Sequence, residues 1–107
     1  MILIPYDIVE AHVPFRLATY PRPCVITSAL SDGRFDVMLI SSALELYKGP
    51  SVHFKIYIDD PEFPKTGLKK ESYAAQDRQV NISLDKIIRK RGRLEGELLK
   101  RFLKWLN

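Results

Sequence analysis

Cysteine is almost missing from this chain. Cys24 is the single one in 107 residues, so no internal disulfide forms and the fold rests on its own core. Cys24 sits in an apolar run with no acid–base partner beside it, and it reads as a small buried hydrophobe rather than a nucleophile. Histidine is equally sparse. His12 and His53, set among scattered carboxylates, show no metal-ligand spacing, so neither a metal nor a cofactor is expected. No apolar run approaches the length of a membrane span. The start, Met1-Ile2-Leu3-Ile4-Pro5, has no charged n-region and is too short for a secretory signal. A cytoplasmic protein without membrane contact is the expectation. Repeats and low-complexity tracts are absent as well.

What is present is the composition of an ordinary globular domain, 46% apolar and 28% charged. The chain, 1–107, reads as one domain burying roughly 60–70% of its unfolded surface. A formal charge of +4 leans towards polyanionic partners, but a small excess is weak evidence by itself.

Residues 6–11 alternate loosely as a strand, and Pro14 removes a ladder donor and favours a loop. Residues 16–20 form a short, partly basic connection. Two apolar runs, 24–29 and 35–40, flank Ser31-Asp32-Gly33-Arg34, a hairpin signal because glycine accepts a positive φ. Residues 43–49 read as a helical turn ended by Gly49-Pro50. Residues 51–58 alternate cleanly, placing Val52, Phe54, Ile56 and Ile58 on one face and His53, Lys55 and Tyr57 on the other. A loop with two prolines follows over 59–67. Residues 72–82 are extended, with a polar middle, Gln76-Asp77-Arg78-Gln79, suited to a bulge. The last element, 94–106, is a helix with an apolar stripe of Leu94, Leu98, Leu99, Phe102, Leu103 and Leu106; Gly96 is a mild defect in it. The whole is mainly β (α+β), a small, partly open barrel with a C-terminal amphipathic helix.

In the hairpin the start of the first strand lies beside the end of the second. Arg22, held between Pro21 and Pro23, should therefore meet Ser41 or Ser42 at one end of the sheet. Alternation sends the two serines to opposite faces, so only one should face Arg22. Taken alone, Arg22 reads equally as a surface cation at a stiffened strand entrance, and Ser42 as the cap of the next turn.

Several stretches in order carry a resemblance to a known family: Asp7-Ile8-Val9 with Pro14-Phe15, Arg22-Pro23-Cys24-Val25-Ile26, Asp36-Val37-Met38-Leu39-Ile40-Ser41-Ser42, Gly67-Leu68 running to Ser72-Tyr73, and Val80-Asn81-Ile82 ahead of a basic turn and the final helix. From Tyr6 to Leu106 the chain resembles the PemK/MazF toxins of bacterial toxin–antitoxin systems, whose SH3-like barrel is shared with the CcdB toxins. The resemblance implies a homodimeric, metal-independent endoribonuclease that cuts single-stranded RNA and is held inactive by a cognate antitoxin. It puts the family's catalytic arginine on Arg22 and its catalytic Ser/Thr on Ser42, with Ser41 second. The chain departs from the family in having Tyr6 where many members have glycine, a short loop over 14–20, and serine for the commoner threonine at 42. The short loop leaves less surface to read bases.

These residue types suit the chemistry. RNA supplies its own nucleophile, so a protein need only align the 2′-hydroxyl and stabilise charge on the phosphate. A guanidinium does the second with a planar fork, and a hydroxyl can do the first. Arginine is a poor proton carrier near neutrality. His12, next to the 14–20 loop, has an imidazole suited to that task, although it reads also as an exposed strand-end residue. Lys48, Lys55, Lys69 and Lys70 form either an RNA-binding surface or a solvated face. The run Lys86, Arg89, Lys90, Arg91, Arg93 reads first as solvation or a dimer rim. Trp105 belongs to the core, a dimer seam or an antitoxin groove. A second class of function stays open, a non-catalytic CcdB-like or RNA-binding interaction domain on the same barrel.

Overall fold

The two apolar runs of the hairpin fold as β2 (Arg22–Ala29) and β3 (Arg34–Ser41). Between them Gly33 takes a φ of 80° and the Leu30 N–H donates to the Arg34 carbonyl at 2.8 Å. The computed structural model describes residues 2–15 and 20–107. The other strands are β1 (Asp7–Ala11), β4 (His53–Ile56), β5 (Ser72–Ser83) and β6 (Ile87–Arg93), and the helix is α1 (Gly96–Leu106). All the pairings are antiparallel, in one sheet ordered β4-β5-β3-β2-β1-β6 that does not close. This is the partly open, mainly β domain with a terminal helix that the sequence predicts. The connection expected over 16–20 lies, apart from Tyr20, outside the described residues.

Both faces of the sheet carry a core, which explains why β2 and β3 read as continuous apolar runs. Ile8, Val25, Met38 and Ile40 face α1 and pack with Phe54, Ile56, Leu94, Leu98 and Phe102. Their neighbours Val9, Cys24, Ile26, Val37 and Leu39 point the other way, against Leu3, Ile82 and Ile87. Leu98 and Phe102 are fully buried, each worth about 1.5–3 kcal/mol relative to exposure.

Four expectations are corrected. Residues 87–93 are an edge strand rather than a basic turn, because their cations meet carboxylates of β1: Arg89 Nη2 lies 2.9 Å from Glu10 Oε1 and Lys90 Nζ 3.3 Å from Asp7 Oδ1. Strand β4 is shorter than its alternation, so Ile58 falls outside it and is 55% exposed. His53, expected beside Lys55 on a solvated face, is only 4% exposed. Helix α1 begins at Gly96, not at 94, and Gly96 is no defect. Its φ is +57°, and a Cβ there would press on the Glu62 side chain. Glu62 Oε1 accepts the Leu98 N–H at 2.9 Å, capping the helix from outside it.

Tyr6 also has a left-handed backbone, with φ 73°. Its N–H donates to the Ile26 carbonyl at 2.6 Å, its carbonyl accepts the Leu94 N–H at 2.9 Å, and its ring meets Phe102 edge-on. Those contacts hold a conformation that only glycine adopts without cost.

Candidate functional site

The register of the hairpin brings its two ends together. Cys24 stands opposite Leu39, and the same register continued two residues along each strand puts Arg22 opposite Ser41. On the flanking strands Ala11 pairs with Arg22, Ser41 with Tyr73, and Tyr73 with Lys55. Cross-strand partners share a face, so these side chains form one row across the sheet. They lie on the face of Cys24 and Leu39, away from α1.

Over part of that row opens a cleft of about 760 Å³. Arg22, Ser41 and Ser42 all line it. Strand β3 ends at Ser41, so strand alternation no longer governs Ser42. Their environments differ. Ser41 is 9% exposed, and its Oγ accepts the Ala43 N–H at 3.1 Å, whereas Ser42 is exposed. The half-buried Arg22 has its guanidinium carbon 5.9 Å from the centre of the Tyr20 ring.

Three of the four lysines, Lys48, Lys69 and Lys70, also line the cleft. Lys55 is not among its lining residues. It sits between the rings of Tyr47 and Tyr57, 5.3 Å from each, and 3.7 Å from Glu71. His12 belongs elsewhere, in a separate depression of about 380 Å³ with Arg34 and Lys86.

The cleft also holds residues that the sequence did not single out for chemistry: His53, Tyr73, Asp77, Arg78 and Arg91. Arg91 comes from β6, where it donates to the Gly67 carbonyl at 2.8 Å and lies 3.3 Å from Glu10. Asp77 and Arg78 come from the polar middle of β5. Met38 pairs with Gln79 but Ile40 with Ala74, so residues 75–78 bulge opposite the single Leu39. A bulge was the signal available in the sequence, and bulges re-aim side chains.

Charge decides what such a cleft attracts. Among the described residues lining it are six Lys or Arg side chains and one carboxylate, Asp77. A concave wall of one sign concentrates counter-ions, here anions. Arginine forks pair bidentately with carboxylate or phosphate oxygens, and serine hydroxyls can donate to either. Among the described residues no three His, Cys, Asp or Glu side chains gather as a metal-ligand set. Among them no helix is long and apolar enough to cross a membrane.

No family model and no curated protein matches the chain. Among solved structures the fold is similar to that of an endoribonuclease in complex with its cognate antitoxin, from a mycobacterial species. The TM-score is 0.70 over 98% of this chain and 91% of that one, at 11% sequence identity. Likeness at that identity is likeness of fold.

Proposed function

We propose that this chain is the toxin of a type II toxin–antitoxin pair, a metal-independent endoribonuclease that cleaves single-stranded RNA in the cytoplasm. The observation that carries this reading is that Arg22, Ser41 and Ser42 line one cationic cleft. The fold adds support, since an endoribonuclease bound to its antitoxin is built on it.

In the proposed reaction a 2′-oxygen attacks the adjacent phosphorus. The P–O bond to the 5′-oxygen breaks, the 2′-proton is released and the departing oxygen takes up a proton, which leaves a 2′,3′-cyclic phosphate. Negative charge builds on the non-bridging oxygens as this happens. Arg22 is the group to meet it, since its donor fork needs no reorganisation in a preformed cleft. Ser42, the exposed hydroxyl, is assigned to hold the 2′-hydroxyl or a phosphate oxygen in line. Ser41 is the second choice, because its Oγ already accepts from Ala43. Lys48, Lys69 and Lys70 are placed along the RNA backbone as point charges. A cognate antitoxin and a second copy of the chain are the partners this reading entails.

The test is cleavage of single-stranded RNA in EDTA. The wild-type protein should cut and leave cyclic or 3′-phosphate ends. Arg22→Ala should lose about a hundred- to thousandfold in rate, the range for deleting one preorganised charge-stabilising donor. Its melting temperature should stay within a few degrees, because the β1–β2 ladder at Arg22 is made by backbone. Undiminished cutting by the variant would remove the assignment. RNA binding without any cutting by the wild type would favour an interaction domain instead.

A further inference from the structure

His53 has a solvent-facing pattern in the sequence and a buried position in the fold. Its ring is 4% exposed on the cleft wall, stacked on Tyr73 at 4.3 Å and 5.8 Å from Tyr47. Nδ1 accepts the backbone N–H of Lys48 at 2.9 Å. An accepting Nδ1 carries no proton, so the neutral ring must carry it on Nε2. Nε2 lies 3.6 Å from Asp77 Oδ1, an electrostatic contact longer than a hydrogen bond. Asp77 Oδ2 in turn lies 3.7 Å from Nη1 of Arg78.

Asp77 and Arg78 have no ladder partner in the register with β3 or with β4. Arg78 is also 45% exposed, and a half-exposed ion pair between adjacent residues is weak by itself. Backbone ties the stretch on either side, the Gln76 N–H donating to the Val52 carbonyl at 3.0 Å and Gln79 standing opposite Met38. Arg78 Nη1 donates to the Asp77 carbonyl at 3.3 Å. The Asp77 carboxylate itself meets the body of the domain at the buried imidazole. His53 therefore links two walls of the cleft: the segment after Ser42, through Lys48, and the β5 bulge, through Asp77.

We propose that His53 is a positioning residue, which through Asp77 holds Arg78 over the cleft as a second guanidinium for the RNA backbone, on the far side of β3 from Arg22. This rests on the RNA reading of the cleft and extends it. A cation held in place makes a defined phosphate contact and releases counterions, whereas a loose one contributes only to the general field.

Two substitutions separate the two nitrogens. Asparagine at 53 keeps an acceptor for the Lys48 N–H but is too short to reach Asp77. Glutamine extends an N–H to the position of Nε2. The probe is a fluorescein-labelled, fully 2′-O-methylated single-stranded RNA pool, which 2′-attack cannot cleave. Its affinity is measured against salt with the full chain. Arg78→Ala and His53→Asn should both bind more weakly, and the slope of log K against log salt should become shallower by about 0.7, one phosphate contact on a single strand. His53→Gln should recover affinity and slope towards wild type. An unchanged slope in Arg78→Ala overturns the proposal, as does a wild-type slope in His53→Asn. If His53→Asn does not fold, Asp77→Asn replaces it, with the same loss expected and a wild-type slope counting against the proposal. Cleavage in EDTA is read in parallel. Absent cutting with these salt effects intact removes the nuclease reading alone, while failure of the wild type to bind the probe removes both.

Discussion

Burial pushes the Cys24 thiol up to about 12, and the neighbouring Arg22 charge only partly opposes it. A thiol kept protonated is a poor nucleophile. Iodoacetamide at neutral pH should label Cys24 only when the chain is unfolded in denaturant, as mass spectrometry would show; labelling of the native protein at a free-thiol rate would contradict the burial. That inertness was legible from one residue type in one apolar run. That the start of β2 and the end of β3 would line one cleft was legible too, because a two-strand register needs only the turn to be recognised. His53 was not. Strand alternation assigns a face, but it does not say whether that face is wet, and here Tyr47, Tyr73 and the β5 bulge cover the imidazole. Asp77 and Arg78 escaped for a related reason. A polar run announces a bulge, yet the direction in which the bulge aims its side chains depends on strands far away in the chain.

Strand β6 is the element least visible in the sequence. Arg89-Lys90-Arg91-Gly92-Arg93 has no apolar alternation, and its partner's acids lie some eighty residues earlier. Cross-strand charge does the work that alternation usually does: Arg89 and Arg91 meet Glu10, and Lys90 and Arg93 meet Asp7. Charges on an edge strand also discourage pairing with other chains. Beneath β6 runs the 3₁₀ turn Phe63–Thr66, closed by Gly67. The approach is so close that a Cβ on Gly92 would overlap the backbone of Lys65 and Thr66, and one on Gly67 the carbonyl of Arg91. Backbone cannot yield as a side-chain tip can. Gly92→Ala should therefore cost at least about 2 kcal/mol in urea unfolding, well above the usual surface substitution. It should also disturb Arg91, whose guanidinium donates to the Gly67 carbonyl at the cleft. A variant as stable as wild type would show that β6 and the turn can part without loss.

At the scale of the molecule, the mainly β class, the open sheet and the terminal helix followed from patterning, while the packing of strands on both faces did not. Period-2 and period-3.6 signals identify elements, but a run such as Val37-Met38-Leu39-Ile40 looks the same whether a helix or a loop covers its second side. The β6 end of the sheet is tied by charge. Glu10 joins β1 to the β6 edge, and the hydrogen bond from Arg89 holds its carboxyl below the usual range, against burial, which raises it. Asp85 is lowered as well, first by the Ser83 hydroxyl. A carboxyl held low in the folded state contributes stability that is present above its unfolded pKa and is lost as pH falls through its folded value. Arg89 and Arg101, raised by Glu10 and Asp60 respectively, lose theirs only as pH rises above the ordinary arginine range. The contribution of these carboxyls should thus be lost on the acid side, below the ordinary glutamate value. Urea unfolding from pH 7 to pH 2 checks this with Glu10→Gln, which deletes the charge and keeps the shape. The variant should be less stable than wild type at pH 7 and have a shallower acid limb. The two curves should converge at the acid end, where the wild-type carboxyl is itself neutral. Curves that stay parallel over the whole range would mean that Glu10 carries none of the acid dependence, and that the β1–β6 edge is held by its ladder alone.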